Sequence, residues 1–322
     1  VGVRFDNESL ATLLFNTSVY LNKKQSRELA LTIRLGRELL GRLDYSVRPF
    51  NSKWNVDWAY QIDYNDLDLY SYGKKTCTYS FLHHLGRFNI SRSWRSIRFN
   101  FGIKYEYFHF NDFLLPPGYT YPENVENEDF FIYYGQMQFD SYNKRTYPTS
   151  GMKWEVNGAV YTDNLVKYNG QTPMPIISAS WEAAIRLRNR LTLLPWVCGR
   201  AIFAKDNYYT FPVMNVVGGN TFSRFLPQQM PFVGISYMQV TGAKTFIGGL
   251  KFRQRIGSNQ YLTLIGNFGL QSNGWEDIFN QNMWGGGISY GYDTFLGPLE
   301  ATFSYSNITK ELGVYVSLGY NF

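Results

Sequence analysis

The sequence predicts an all-β fold, a 16-stranded antiparallel transmembrane β-barrel with a long loop folded into its lumen. Three observations predict it. Apolar and polar residues alternate along many segments, long and short connections fall at opposite ends, and aromatic residues (18%) slightly outnumber charged ones (17%) among the 322 residues. These features are typical of strands that separate lipid from water, here in one domain covering 1–322.

The carboxy-terminal segment shows the alternation most clearly. Every second residue is apolar or aromatic: Leu312, Val314, Val316, Leu318, Tyr320 and Phe322. The residues between them are small or polar, with one tyrosine: Gly313, Tyr315, Ser317, Gly319 and Asn321. A period of two places successive side chains on opposite faces, so this segment is a strand with one apolar face.

Strand candidates recur along the whole chain. They are 1–6, 9–21, 27–36, 40–50, 54–64, 75–90, 96–110, 129–140, 151–163, 175–189, 191–205, 244–257, 260–271, 283–293, 297–306 and 312–322. An even number is expected for a bacterial barrel. No apolar run approaches the roughly 18 residues that a transmembrane helix needs.

The connections between these strands differ in length in a regular way. The short ones are 21–26, 51–53, 91–95, 257–260 and 294–296. The long ones are 65–74, 111–128, 164–174, 206–243 and 272–282. Barrels have short turns at one end and longer loops at the other, so the pattern predicts two distinct ends, with the last residue at the short-turn end.

Segment 96–110 indicates which face of a strand meets lipid. Its predicted lipid-facing residues are Ile97, Phe99, Phe101, Ile103, Tyr105 and Tyr107. Its predicted lumen-facing residues are Arg98, Asn100, Gly102, Lys104 and Glu106. A charge on the lipid side costs about 2–4 kcal/mol at the midplane, so the alternation predicts a polar and partly basic lumen.

The longest connection, 206–243, is too apolar for a solvated loop. It contains Phe211, Val213, Val216, Val217, Phe232 and Ile235, with glycines at 218, 219 and 234. Long loops of this kind usually fold back and pack. We therefore predict that it enters the lumen and partly plugs it.

Composition and charge exclude several functions. The net charge of +6 comes without any Lys/Arg run, which argues against nucleic acid as a partner. Cys77 and Cys198 match no metal spacing, and the sequence does not tell whether they pair. Because strand character begins at the first residues, we expect this chain to be a fragment of a longer protein.

No catalytic or metal site is predicted. The serine motif Gly287-Ile288-Ser289-Tyr290-Gly291 lies within an alternating strand, where a nucleophile elbow needs a sharp strand-to-helix turn. His83 and His84 are adjacent on one strand and point to opposite faces. The acidic run 123–129 is best explained as a surface loop. We expect no cofactor.

Three motifs carry a family resemblance. They are Phe139-Asp140 followed by Tyr147-Pro148-Thr149-Ser150-Gly151, then Gly297-Pro298-Leu299, and the closing strand 312–322 with its terminal aromatic residues. Together they resemble the BamA/TamA superfamily of outer-membrane barrels, the bacterial surface antigen domain. The resemblance implies an outer-membrane location in a Gram-negative bacterium. It implies outer-membrane lipids as partners, with other outer-membrane proteins as candidate partners. It also implies a barrel assembly machinery that reads Tyr320 and Phe322 during biogenesis.

A closer resemblance is carried by six shorter stretches. They are Val3–Asp6, Leu31–Gly36, Tyr161–Asn164, Ser178–Glu182, Gln228–Phe232 and Leu250–Arg255. These are most similar to the carboxy-terminal barrels of Bacteroidota patatin-like phospholipases. The resemblance implies a patatin hydrolase and a periplasmic linker domain upstream, and no catalysis in this chain.

The chain departs from the superfamily at one place. The family's long loop carries Val-Arg-Gly-Phe/Tyr, whose arginine meets an aspartate inside the barrel, but this loop has Val217-Gly218-Gly219 and the facing strand has Asn267. Losing both charges together is tolerable, whereas losing one leaves a buried charge unpaired. We hypothesise that the glycines allow close contact and that Arg224 pairs with an acid in the lumen. The candidate acids are Glu106, Glu155 and Glu300.

Three functions fit these observations. The barrel anchors or translocates an upstream phospholipase, or it is the barrel of an insertase or secretion partner with upstream POTRA repeats, or it is a passive pore. The second would use a weak seam between strands 1–6 and 312–322. A plugging loop argues against the third.

Overall fold

The computed structural model describes residues 1–7, 10–22, 26–49, 52–71, 73–114, 126–205, 209–221, 226–235 and 237–320. Its strands are Gly2–Asp6 (β1), Leu10–Asn22 (β2), Arg27–Leu35 (β3), Leu39–Val47 (β4), Trp54–Ser71 (β5), Lys74–Trp94 (β6), Ile97–Leu114 (β7), Glu128–Asp140 (β8), Gly151–Thr162 (β9), Met174–Arg188 (β10), Leu191–Ile202 (β11), Val216–Val217 (β12), Met238–Val240 (β13), Lys244–Arg255 (β14), Gln260–Ser272 (β15), Asn282–Thr294 (β16), Gly297–Ser306 (β17) and Leu312–Gly319 (β18). A short 3₁₀ helix covers Phe211–Val213. The described ranges contain no helix long and apolar enough to cross a membrane.

Sixteen of these strands, all except β12 and β13, form one closed antiparallel sheet. Each pairs with the next along the chain, β11 pairs with β14, and β18 returns to β1. Closure gives every wall strand two neighbours, which satisfies the backbone without water, as a bilayer requires. The predicted 16-stranded antiparallel barrel is confirmed.

The two faces of the wall also match the predicted alternation. Phe101, Ile103 and Phe303 expose 51, 44 and 62% of their surface on the outside. Asn100 and Thr302, at alternate positions, expose only 9 and 3%. The outer face is therefore apolar and the inner face polar, as in transmembrane barrels.

The predicted long connection at 65–74 is wrong. In the structure β5 continues to Ser71 and β6 begins at Lys74, so the two strands extend as a hairpin beyond their neighbour β4. The reason is that their inward-facing residues, including Leu67 and Leu69, are almost fully buried against the long connection. Packing against the long connection therefore keeps this segment in a strand, although the aspartates that alternate with its leucines suggested a loop.

Two buried apolar clusters lie on the inner side of the wall. The first joins residues of β5–β8, β10 and β11 to Phe211, Val213 and Met238 of the long connection. The second joins residues of β11, β14 and β16 to Val217, Met230 and Phe232. Cys77 and Cys198 lie in different clusters and are both free. The protein's apolar core is therefore built by the connection between β11 and β14 packing against the strands.

Candidate functional site: the seam and the inward-folded connection

The seam between β1 and β18 is short. Among the described residues, three pairs form its ladder: Arg4 with Gly319, Phe5 with Leu318, and Asp6 with Ser317. Gly319 has φ +112°, and a Cβ there would collide with the carbonyl of Val3 on β1. The close approach of the two strands at this point therefore requires glycine.

Side chains extend this seam beyond its backbone ladder. The Asn7 side chain accepts a hydrogen bond from the backbone N–H of Val316 (3.0 Å) and donates one to the carbonyl of Val314 (2.8 Å). The Arg4 guanidinium donates to the Tyr315 hydroxyl at 2.8 Å. The backbone N–H of Asn7 also donates to the carbonyl of Val316 at 3.1 Å, so the main chain and the side chain of Asn7 extend the seam together. Sequence reasoning did not assign this role to Asn7.

The long connection is fixed to the wall at both sides. Its strands β12 and β13 pair with each other, and β13 adds in parallel to β5, with Met238 opposite Leu69 and Gln239 opposite Tyr70. On the other side, the Ser306 hydroxyl of β17 donates to the carbonyl of Gly234 at 3.1 Å. The connection therefore contacts the wall at two separate places, at β5 and at β17.

A fully buried asparagine organises the start of this connection. Asn215 donates to the carbonyls of Gly242 (2.9 Å) and Ala243 (3.0 Å), and its carbonyl oxygen accepts from Arg200 of β11. Arg200 also donates to the carbonyl of Val213 at 2.8 Å. Since buried polar groups need partners, this network favours one position of the chain. No local sequence signal pointed to Asn215.

The predicted fold-back residues lie in the middle of the connection. Val217 is fully buried and pairs with Gln239. Gly218 has φ +143°, and a Cβ there would collide with the carbonyl of Tyr237. The N–H of Gly219 donates to the carbonyl of Ile235 at 2.7 Å. Their role in holding the loop stays a prediction.

The predicted partners of Arg224 are dispersed, and Arg224 itself lies outside the described residues. Glu155 accepts hydrogen bonds from Gln136 (2.8 Å) and Gln138 (3.0 Å). Glu106 lies 3.9 Å from the Nε2 of His83. Glu300 and Asn267 both line a cavity on the inner face of the wall. The pairing of Arg224 stays a hypothesis.

The connection 141–150, at the short-turn end, also reaches the barrel interior. Tyr147, in the Tyr-Pro-Thr-Ser-Gly motif, is 7% exposed and stacks on Tyr261 of β15 with 4.0 Å between ring centroids. Arg253 of β14 lies 5.1 Å over the Tyr147 ring and donates to the Pro148 carbonyl at 3.3 Å. Burial, together with the nearby charge of Glu300, raises the pKa of Tyr147, so its hydroxyl stays protonated.

The carboxy terminus lies at the same end. Tyr320 is 40% exposed, and the guanidinium of Arg145 lies 5.6 Å from its ring centroid. Phe322, the other residue of the predicted assembly signal, lies outside the described residues. The assembly signal stays a prediction.

The rejected catalytic motifs occupy regular strand positions. Ser289 lies inside β16, where its hydroxyl accepts from Thr302 at 2.9 Å. His83 contacts Asp63 at 3.1 Å on the inner face, while the His84 ring contacts the Tyr60 hydroxyl on the outer face at 2.8 Å. Within the described ranges, no group of three or more His, Cys, Asp or Glu side chains could hold a metal ion.

Solved structures with a similar fold include BamA and CdiB. BamA from Haemophilus ducreyi lacking POTRA domains 1–3 matches with a TM-score of 0.75 and 11% identity over 98% of this chain and 68% of that chain. CdiB from Escherichia coli gives 0.59 and 10%, and CdiB from Acinetobacter baumannii 0.57 and 13%, each over 98% of this chain. The chain covers 61 and 58% of the two CdiB proteins, which is less than two thirds of their length.

Sequence comparison gives the family directly. Among curated proteins none matches significantly. The family model of the OMP85 superfamily matches residues 88–322, from the middle of β6 to the end, which is more than half of the chain. With its closed 16-stranded wall and its likeness to the BamA and CdiB barrels, this chain belongs to the OMP85 superfamily.

Proposed function

We propose that this barrel anchors an N-terminal patatin-like phospholipase to the outer membrane of a Gram-negative bacterium, or carries it across. The observation that carries the proposal is the resemblance of several wall segments, such as Leu250–Arg255, to the barrels of such phospholipases. Membership of the OMP85 superfamily supports the outer-membrane location. The barrel itself contributes no catalysis, and the hydrolase lies upstream of Val1.

The full-length native protein tests this proposal. We expect outer-membrane fractions to contain it, intact mass spectrometry to show an upstream domain, and the purified protein to release fatty acid from phospholipid vesicles. The barrel alone, residues 1–322, is the control and should release none. Upstream sequence consisting only of tandem POTRA repeats, with no hydrolysis by the full-length protein, would contradict the proposal.

The second candidate is the barrel of an outer-membrane insertase or secretion partner. The three-pair ladder between β1 and β18 favours it, because a seam with few backbone hydrogen bonds opens at low cost. This function requires the seam to open during the reaction, whereas an anchor does not. Locking the seam therefore separates the two candidates.

In either function we propose that the connection 206–243 closes the lumen, with Val217, Gly218 and Gly219 allowing its tight path. The apolar clusters that it forms with the wall support this role. In planar bilayers the unmodified barrel should show no large steady current. Replacing residues 211–240 with a short Gly/Ser linker should raise the conductance several-fold. A large steady current through the unmodified barrel would contradict closure.

A further inference from the structure

A cavity of about 70 Å³ lies between the long connection and the inner face of β14–β17. On the wall side its lining is polar and contains Lys251, Arg253, Thr263, Asn267, Ser289 and Thr302. On the other side it is bounded by residues of the connection, among them Gly219 and Val233. One buried water needs only about 10–15 Å³, so the cavity has room for a polyatomic ion.

The strand register arranges the wall side into rows. Arg253 pairs with Thr263, Thr263 with Ser289, and Ser289 with Thr302, so one guanidinium and three hydroxyl groups cross four neighbouring strands. Lys251 and Asn267 stand on the same inner face, toward the loop end. Hydrogen-bond donors thus converge on the cavity from adjacent strands about 4.8 Å apart.

The Asn267 side chain is the clearest sign of a missing partner. It is 93% buried, and neither its Oδ1 nor its Nδ2 has a hydrogen-bond partner among the described residues. The Nε of Arg253 is likewise buried without an acceptor in that part of the chain. Buried polar groups in folded proteins are almost always satisfied. An occupant of the cavity with acceptor oxygens would satisfy the two donors, Asn267 Nδ2 and Arg253 Nε.

The charges indicate the sign of this occupant. Among the described residues, neither Lys251 nor Arg253 forms an ion pair within 4.0 Å. Arg253 donates to the Pro148 carbonyl and lies over the Tyr147 ring. Among the described residues of the lining, Glu300 is the single acidic one, so two cations face one anion there. Phosphate oxygens are bound by this combination of an arginine fork, a lysine charge and neutral donors.

We propose that the cavity binds a phosphate group, carried by inorganic phosphate or by a phospholipid headgroup. Lys251 and Arg253 supply the charge, the hydroxyls of Thr263 and Ser289 donate to the oxygens, and the Asn267 amide N–H completes the shell. The site is distinct from the seam, and its existence does not depend on an upstream phospholipase.

Binding to the folded barrel tests the proposal. The barrel is purified in a sugar-based detergent without phosphate, stripped of lipid, and titrated by calorimetry with inorganic phosphate and separately with phosphatidylglycerol. We expect one saturable site for at least one probe, with about tenfold weaker binding for Lys251→Gln and for Asn267→Ala. Arg255→Gln, on the same strand and face but outside the lining, is the matched control and should bind as the unmodified barrel does.

The two probes distinguish between the two sources of the phosphate group. Binding of inorganic phosphate assigns a free anion, and binding of phosphatidylglycerol alone assigns a lipid headgroup. Thr263→Val, which removes a hydroxyl of the lining at nearly constant volume, is the second variant should either of the first two fail to fold, as judged by the shift of the unheated protein on electrophoresis. No binding of either probe, or equal weakening by Lys251→Gln and Arg255→Gln, would overturn the proposal and leave only water in the cavity.

Discussion

Strands β1 and β18 at the seam pair antiparallel, as do strands β5 and β6 of the hairpin, but the two ladders differ greatly in length. Among the described residues the seam has three ladder pairs, whereas β5 and β6 share eighteen. Each antiparallel pair contributes backbone hydrogen bonds, so the free energy needed to separate the two strands rises with their number.

The buried apolar packing inside the barrel is also uneven between the two regions. Both buried apolar clusters include wall strands from β5 onward, and neither contains a described residue of β1–β4 or β18. The connection between β11 and β14 therefore packs against the wall from β5 to β16 and also bonds to Ser306 of β17, but it does not reach β1 or β18 in these clusters. We infer that any opening of the wall begins between β1 and β18, where the described ladder is short.

The largest expected effect comes from locking the seam covalently. Phe5 and Leu318 face each other directly across it, at a spacing that suits a disulfide. If the protein works by opening, Phe5→Cys/Leu318→Cys should lower its activity in cells at least about tenfold, and reductant should restore it. The activity is measured by complementation of a strain that lacks the full-length protein.

The matched control is Val56→Cys/Ile90→Cys, a directly opposed pair in the middle of β5 and β6. This disulfide should not change the activity, because the proposed opening does not separate β5 from β6. Full activity of the oxidised seam variant would reject opening and favour the anchor function. Equal loss in both variants would show that rigidity anywhere in the wall impairs the protein, which contradicts a localised seam.

A smaller effect is expected in amide hydrogen exchange. Peptides covering β1 and β18 should exchange at least about tenfold faster than those covering β5 and β6. Local opening must break few backbone hydrogen bonds at the seam and many at the hairpin, so it occurs more often at the seam. The β3–β4 pair, with eight ladder pairs, should be intermediate. Mass spectrometry of the barrel in detergent measures all three. Similar exchange rates at the seam and the hairpin would contradict the inference that β1 and β18 separate more easily than β5 and β6.

The sequence predicted the wall well because its signal is local. Two-residue alternation places side chains of one strand on two faces, whatever its neighbours are, and the sixteen segments were found from it. The hairpin extension was missed because Asp66 and Asp68 next to Leu67 and Leu69 resemble a polar loop. Only the packing of the long connection makes this segment a strand.

The candidate site was less predictable because its contacts join distant parts of the chain. Val217 and Gly218 were identified from the composition of the loop, but Asn7 bonds to Val316 across 309 positions, and Asn215 to Ala243 across 28. Neither asparagine has a local pattern that sets it apart. The motif around Tyr147 drew attention through resemblance alone, and only the structure places its ring against Tyr261.

The smallest effect is expected from removing the Asn7 side chain, which bonds to Val314 and Val316 at the seam. Asn7→Ala removes the bonds to Val314 and Val316 and should destabilise the closed seam by about 1–2 kcal/mol, which corresponds to roughly tenfold more opening. Hydrogen exchange at Val316 should rise accordingly, while β5 and β6 stay unchanged. Asn16→Ala, which removes the comparable exposed bond between Asn16 and Thr32 on β2 and β3, is the control and should leave exchange at Val316 unaltered. If Asn7→Ala also leaves it unaltered, the backbone ladder of three pairs alone sets the strength of the seam.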